Sequence, residues 1–278
     1  EAIESYQKAI AINPDDADTY NNLGIVFDEQ ERLDDAIQSY RKAVSIQSDL
    51  AEAYNNLGHT LCKLHRYQEA IDLYEKVFDI KPNLDYILGN ILNTKMNSCN
   101  WDDLEELLTD AKQRIVNNER VVEPFTLLGL IDDSLVQRKA TELRINANHP
   151  RNYNLPTIVR YPKHPKIRIG YFSADFREHP LAYLTAELYE LHDRNYFEVH
   201  AFSFGSDTKD ALNLRIKAGV DQFHNVQSMS HKEIALLARS LEIDIAVDLT
   251  GLTAESRTDV FAMSAAPIQL SYIGYLGT

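Results

Sequence analysis

A 34-residue period runs through the N-terminal third of this chain. Ala2-Ile3, Ala36-Ile37 and Ala70-Ile71 recur at that spacing, each followed at the same offset by a tyrosine, Tyr6, Tyr40 and Tyr74. A second set keeps the period, with Tyr20-Asn21-Asn22-Leu23-Gly24 matching Tyr54-Asn55-Asn56-Leu57-Gly58. Pro14 and Pro82 close turns in corresponding places, and Ser48 stands where the middle repeat lacks its proline. A period of this length marks stacked helical hairpins, none of which can bury its apolar face alone.

These residues follow the tetratricopeptide pattern, so residues 1–84 are expected to form an α-solenoid. Tyr20, Leu23 and Phe27 make the inner stripe of a first helix. Gly24, and Ala36 on the second helix, are small where two backbones are expected to approach. Asn22, Asn56 and Asn90 are also 34 apart and line up along the first helices, which face the concave side. An amide offers a donor and an acceptor, so this ladder is expected to hold an extended peptide by its backbone. The other reading of the ladder is hydrogen bonding between repeats. The repeat surface is also a candidate for self-association into an oligomer.

After Asp85 the period decays, and residues 85–150 read as an atypical helical cap and linker. Trp101, Leu104, Leu107, Leu108, Ala111 and Ile115 share one face, which predicts a helix from Trp101 to Asn118 with Asn100 as N-cap and Trp101 in the core. A further helix is expected from Pro124 to Arg144. A proline-containing connector from His149 to Pro165 marks the domain boundary.

Residues 151–278 change rhythm. Strands are expected at Ile167 to Ser173, Phe197 to Phe204, Gln222 to Val226, Ile243 to Leu249 and Ile268 to Ile273. Helices are expected between them at Leu181 to His192, Asp210 to Ala218, Ser230 to Leu241 and Thr253 to Met263. This alternation predicts a parallel, Rossmann-like sheet, whose ligands gather beyond the carboxyl ends of the strands. Two such ends carry chemistry. After the first strand, Pro180 suits a first helical turn and leaves His179 near the N-cap, where the positive helix end favours a neutral, basic imidazole. Asp175, four residues earlier, can take a proton or orient the ring; on the residues alone, the plainer reading is that His179 caps the helix and Asp175 caps a turn. After the fourth strand, Asp248 to Thr253 offers a carboxylate, hydroxyls and Gly251, with a plain turn as the simpler account. His224 and His231 read as surface residues.

A formal net charge of -14, from 28 basic and 42 acidic residues, argues against nucleic-acid phosphate as a partner. No apolar run approaches a membrane span. Cys62 and Cys99 lack ligand spacing and read as reduced thiols, so the cytoplasm is the expected compartment. No metal or cofactor motif is present.

The order of these pieces resembles the protein O-linked N-acetylglucosamine transferases and their bacterial and plant relatives, including the protein O-fucosyltransferase branch. The likeness is carried by the repeats, Cys99-Asn100-Trp101, Ile167-Arg168-Ile169-Gly170-Tyr171, Ser173-Ala174-Asp175-Phe176 with His179-Pro180, Asp248-Leu249-Thr250-Gly251, Ala265-Ala266-Pro267-Ile268-Gln269 and Gly274-Tyr275-Leu276-Gly277-Thr278. The resemblance implies a metal-independent, inverting transfer of a sugar from a nucleotide donor such as UDP-N-acetylglucosamine to protein Ser or Thr. It implies His179 and Asp175 as proton acceptors or relays, and Thr250, Gly251, Gly274, Tyr275, Gly277 and Thr278 near sugar and nucleotide. Phe125 stands where animal members have a histidine, and Leu276 where the family loop usually has proline. The family fold has two Rossmann-like lobes, so the chain is expected to be the repeats plus the first lobe, inactive alone. The alternative is a repeat scaffold without catalysis that mediates protein–protein interaction.

Overall fold

A computed structural model describes residues 2–151, 155–158, 161–253 and 255–275 and divides the chain into two compact units, Glu1–Leu143 and Arg144–Thr278. The first unit is helical. It runs through α1 (Ala2–Ile12), α2 (Ala17–Glu29), α3 (Leu33–Ile46), α4 (Ala51–Lys63), α5 (Tyr67–Ile80), α6 (Ile87–Asn97), α7 (Leu104–Val116) and α8 (Pro124–Leu128). The next helix, α9 (Ser134–Asn148), crosses the division between the units.

The 34-residue period has a concrete cause in packing. A Cβ on Gly24 would lie 2.5 Å from the Tyr40 ring, and one on Gly58 would lie 2.5 Å from the Tyr74 ring. Both tyrosines are fully buried. The glycine of each first helix therefore makes room for the tyrosine of the second. The expectation of close backbones at Gly24 is corrected: an aromatic ring fills the space. Ala36 and Ala70 have no exposed surface, as small residues at a helix contact should.

Beyond α6 three expectations change. Asn100 does not cap a helix; its Oδ1 accepts from the Asp102 amide 3.0 Å away, making a turn that delays α7 to Leu104. Trp101 thus precedes the helix and is 58% exposed rather than in the core. The helix expected from Pro124 to Arg144 is broken between Leu128 and Ser134. Asp133 Oδ1 accepts from the Leu135 and Val136 amides and starts a new helix there.

The second unit is a five-stranded parallel sheet of β1 (Ile167–Ser173), β2 (Phe197–Ser203), β3 (Gln222–Asn225), β4 (Ile245–Asp248) and β5 (Ile268–Ser271). The spatial order is β3-β2-β1-β4-β5, which is doubly wound, with β1 and β4 at the centre where the winding reverses. Between the strands run α10 (Pro180–Leu191), α11 (Ala211–Gly219), α12 (His231–Ser240) and α13 (Thr258–Ala262). Alternation along the strands splits the core. Ile169, Tyr171, Val199 and Val247 pack with α10 and α11 residues, while Phe172, Phe202 and Ala246 pack with α12 and α13 residues. Burial on both faces is why β4 lies within an apolar run, Ile243 to Leu249. The helix expected from Thr253 begins only at Thr258, because Thr253 Oγ1 turns back to the Thr250 carbonyl.

Candidate active site

The two chemically loaded loops leave β1 and β4, which are neighbours: Phe172 pairs with Asp248, and the Leu249 amide donates to the Phe172 carbonyl. In the first loop, the Asp175 amide donates to Ser173 Oγ at 2.9 Å. Its carboxylate is 14% exposed and receives Arg177 at 3.3 Å. Arg177 also reaches Glu255 at 3.4 Å, so it ties the β1 loop to the segment after β4.

His179 is the N-cap of α10, with Pro180 at the first helical position. Its Nδ1 accepts from the Leu181 amide at 3.2 Å and lies 3.7 Å from Asp175 Oδ2. An Nδ1 that accepts holds a lone pair, so the neutral ring carries its proton on Nε2. At 42% exposed, the His179 ring is open to solvent, with the Asp175 carboxylate beside it.

In the second loop, Asp248 Oδ1 accepts from the amides of Thr250 and Gly251, at 3.0 and 3.1 Å. Burial pushes the Asp248 carboxyl above its usual range, against the pull of these two donors. Gly251 has φ +63, and a Cβ there would lie 2.2 Å from the Tyr275 carbonyl oxygen. That oxygen accepts from the Leu252 amide at 3.0 Å. A Cβ on Gly274 would lie 2.6 Å from the Leu249 carbonyl. Thr250, Gly251, Gly274 and Tyr275 thus meet in one tight crossing of two backbones, which only glycine permits. Gly277 and Thr278, like Leu276, lie outside the described residues.

In the helical unit the asparagine ladder is bonded between repeats. Asn56 Nδ2 donates to Asn21 Oδ1 at 3.0 Å, and Asn90 Nδ2 to Asn55 Oδ1 at 3.1 Å. Asn90 Nδ2 is also 2.9 Å from His59 Nε2. Asn56 and Asn90 are half-buried, while Asn22 is exposed.

His224 is not the surface residue expected. It is half-buried and stacked on Phe202, with Nε2 3.2 Å from Nδ1 of the buried His200. Burial first, and then His200, lower it to about 4. His231 pairs with Asp259 at 3.1 Å. Among the described residues no group of three or more His, Cys, Asp or Glu has metal-binding geometry, and no helix is long and apolar enough to cross a membrane.

The sequence missed two residues that touch the His179 loop. Asp210 Oδ2 accepts from the Glu178 amide, and Asn213 Nδ2 donates to the Phe176 carbonyl. The available signal was an Asp opening a helix with Asn three positions later, which reads as a cap and nothing more.

Residues 136–278 match the family described as glycosyl transferase family 41, and residues 1–30, 26–64 and 51–84 match tetratricopeptide repeat families. The chain is 30% identical over 206 residues to the probable UDP-N-acetylglucosamine–peptide N-acetylglucosaminyltransferase SEC of Arabidopsis thaliana, covering 68% of this chain and 21% of that protein. It is 33% identical over 116 residues to the UDP-N-acetylglucosamine–peptide N-acetylglucosaminyltransferase of Caenorhabditis elegans, covering 41% of this chain and 10% of that one. The chain therefore spans about a fifth or less of the length of these relatives. Its fold is shared with a mutant O-GlcNAc transferase of Thermobaculum terrenum at a TM-score of 0.54 and 22% identity, over 99% of this chain and 48% of that one.

Proposed function

The chain belongs to glycosyl transferase family 41, and on that premise we propose that the protein transfers N-acetylglucosamine from a UDP-linked donor to Ser or Thr hydroxyls of other proteins. The observation that carries this reading is the pairing of the His179–Asp175 loop with the Thr250–Gly251 and Gly274–Tyr275 crossing at adjacent carboxyl ends of a doubly wound sheet. The acceptor oxygen bonds to the sugar's anomeric carbon from the face opposite the nucleotide. The bond from that carbon to the phosphate oxygen breaks, UDP leaves with the electron pair, and the hydroxyl gives up its proton.

His179 and Asp175 are assigned to that proton. Proton uptake at Nδ1 ends the cap contact to the Leu181 amide and turns the ring into a charged donor for Asp175 Oδ2, 3.7 Å away. Asp175 thus stabilises the imidazolium as it forms, and either residue can pass the proton to water. Thr250, Gly251, Gly274 and Tyr275, with Gly277 and Thr278 from the same motif, are assigned to the sugar and nucleotide, and the chemistry asks for no metal. Asn22, Asn56 and Asn90 are assigned to the peptide backbone in the repeat groove, residues 1–84 to binding, 85–150 to the cap and linker, and 151–278 to the catalytic lobe. The protein is assigned to the cytoplasm, a compartment in which unpaired cysteines such as Cys62 and Cys99 stay as thiols.

The test is to incubate the full-length gene product with UDP-N-acetylglucosamine and a Ser/Thr peptide and to weigh the peptide. A gain of one N-acetylhexosamine supports the reading. A gain of fucose from GDP-fucose alone overturns the donor assignment, and no sugar from either donor overturns the activity.

A further inference from the structure

The loop that carries Asp175 and His179 is six residues long, from Ala174 to His179, and has little regular structure of its own. What fixes it comes largely from the next strand along. The Phe204 amide, just past β2, donates to the Ser173 carbonyl at 3.1 Å. Gly205 then passes so close that a Cβ on it would lie 1.8 Å from the Ala174 carbonyl oxygen. Further on, Asp210 caps α11 through Oδ1, which accepts from the Asn213 amide at 2.8 Å. Its second oxygen, Oδ2, accepts from the Glu178 amide at 2.9 Å. Asn213 is 1% exposed, and its Nδ2 donates to the Phe176 carbonyl at 2.6 Å. Phe176 itself is buried against Tyr189 and Phe223.

We infer that Asp210 and Asn213 are positioning residues for the proton-handling pair, in an inference that rests on the function proposed for His179 and Asp175. Asn213 holds the carbonyl one residue after Asp175, and Asp210 holds the amide one residue before His179. The two anchors therefore bracket the interval that sets the 3.7 Å separation between the imidazole and the carboxylate. They act from one rigid source, the first turn of α11, because Asp210 Oδ1 locks the cap that presents Asn213. A carboxylate is required at 210, since one oxygen serves the helix and the other the loop. An amide there keeps only one of the two acceptors. At 213 a donor is required, since the partner is a carbonyl oxygen. Neither side chain is assigned to the reacting atoms.

Misplacing a reacting group by about 1 Å costs on the order of 100-fold in rate. Asn213→Ala in the full-length gene product is therefore expected to lower kcat by about 10- to 100-fold, with KM for the UDP-sugar changed less than about twofold. Asn213→Asp, which replaces the donor by an acceptor, is expected to be at least as slow. Because Asn213 is buried, Ile216→Val serves as a control that loosens the same helix while leaving the hydrogen bonds of Asp210 and Asn213 to the loop in place. It is expected to lower Tm while leaving kcat alone. An activity-free readout comes from NMR of the present chain. The His179 imidazole resonance should move in Asn213→Ala and Asp210→Asn and stay in place in Ile216→Val. Wild-type kcat and an unmoved resonance in Asn213→Ala, with His179→Ala inactive, overturn the positioning role alone. Full activity of His179→Ala overturns the underlying reading, and the positioning role with it.

Discussion

In the helical unit the polar contacts between repeats join residues about one period apart: Asn56 to Asn21, Asn90 to Asn55 and Thr60 to Asp28, separated by 35, 35 and 32 positions. In the α/β unit the His179 loop is held by Asp210, Asn213 and Glu255, at separations of 32, 37 and 78 from Glu178, Phe176 and Arg177. The first set recurs down the chain because each repeat meets its neighbour in the same way. The second set occurs once, because each contact depends on which strands the winding places side by side. A repeat writes its contacts into its spacing, whereas a doubly wound site depends on topology.

The comparison predicts interchangeable effects in one unit and individual ones in the other. Tyr40→Ala and Tyr74→Ala each leave a ring-sized cavity against a glycine and are expected to cost alike, about 3–5 kcal/mol. Urea unfolding followed through Trp101, the only tryptophan, reads this in the helical unit. Costs differing by more than about 2 kcal/mol would break the idea of equivalent repeats.

Gly251→Ala should have no such twin. It forces a side chain into φ +63 against the Tyr275 carbonyl, which is expected to cost about 2–5 kcal/mol in strain and overpacking. Hydrogen exchange should show the added opening around residues 248–252 and 272–275 while the helical unit stays protected. Opening spread evenly over both units would contradict the separation. Ser230→Ala is smaller. It removes a capping box in which Ser230 and Glu233 serve each other's amides, and about 1 kcal/mol is expected. Thermal melts of the two proteins measure it.

The smallest effect concerns two carboxylates, Asp210 at the start of α11 and Asp248 at the end of β4. Asp210 is held at about 2 by the Thr208 hydroxyl and by backbone amides, so its contribution to stability is present above about 4 and fades as pH falls toward 2. Asp248 is shifted the other way by burial, so its ionisation works against folding as pH rises above the ordinary carboxylate range. Asp210→Asn should therefore lose stability relative to the parent at pH 7 and converge with it in acid. Asp248→Asn keeps an oxygen for the Thr250 and Gly251 amides and should gain relative to the parent as pH rises. Melts from pH 3 to pH 7 that show the same trend for both variants would contradict the opposite environments.

Much of this architecture could be read in the sequence, for physical reasons that also explain what could not. The strand Ile167 to Ser173 was readable to the residue because β-branched and aromatic side chains, Ile167, Ile169, Tyr171 and Phe172, gather in it. His179 was readable as a cap because proline follows it. Trp101 was misjudged because apolar periodicity cannot see a side-chain turn, and the Asn100 turn starts α7 three residues after Trp101. The ladder's spacing was clear, but its spacing alone could not show that Asn56 and Asn90 already bond to the repeat before them. Asp210 and Asn213 looked like ordinary helix-start residues, since their partners lie on another strand's loop.

On the proposed function, His179, the N-cap of α10 beside Asp175, takes part in moving the acceptor's proton. Its most direct test is steady-state sugar transfer by the full-length gene product and its His179→Ala variant. Removing a general acid–base group costs about 100- to 10,000-fold. A fall in kcat of that size is expected, with Tm lowered only slightly and KM for the peptide nearly unchanged. Transfer by His179→Ala at the parent's rate would contradict it.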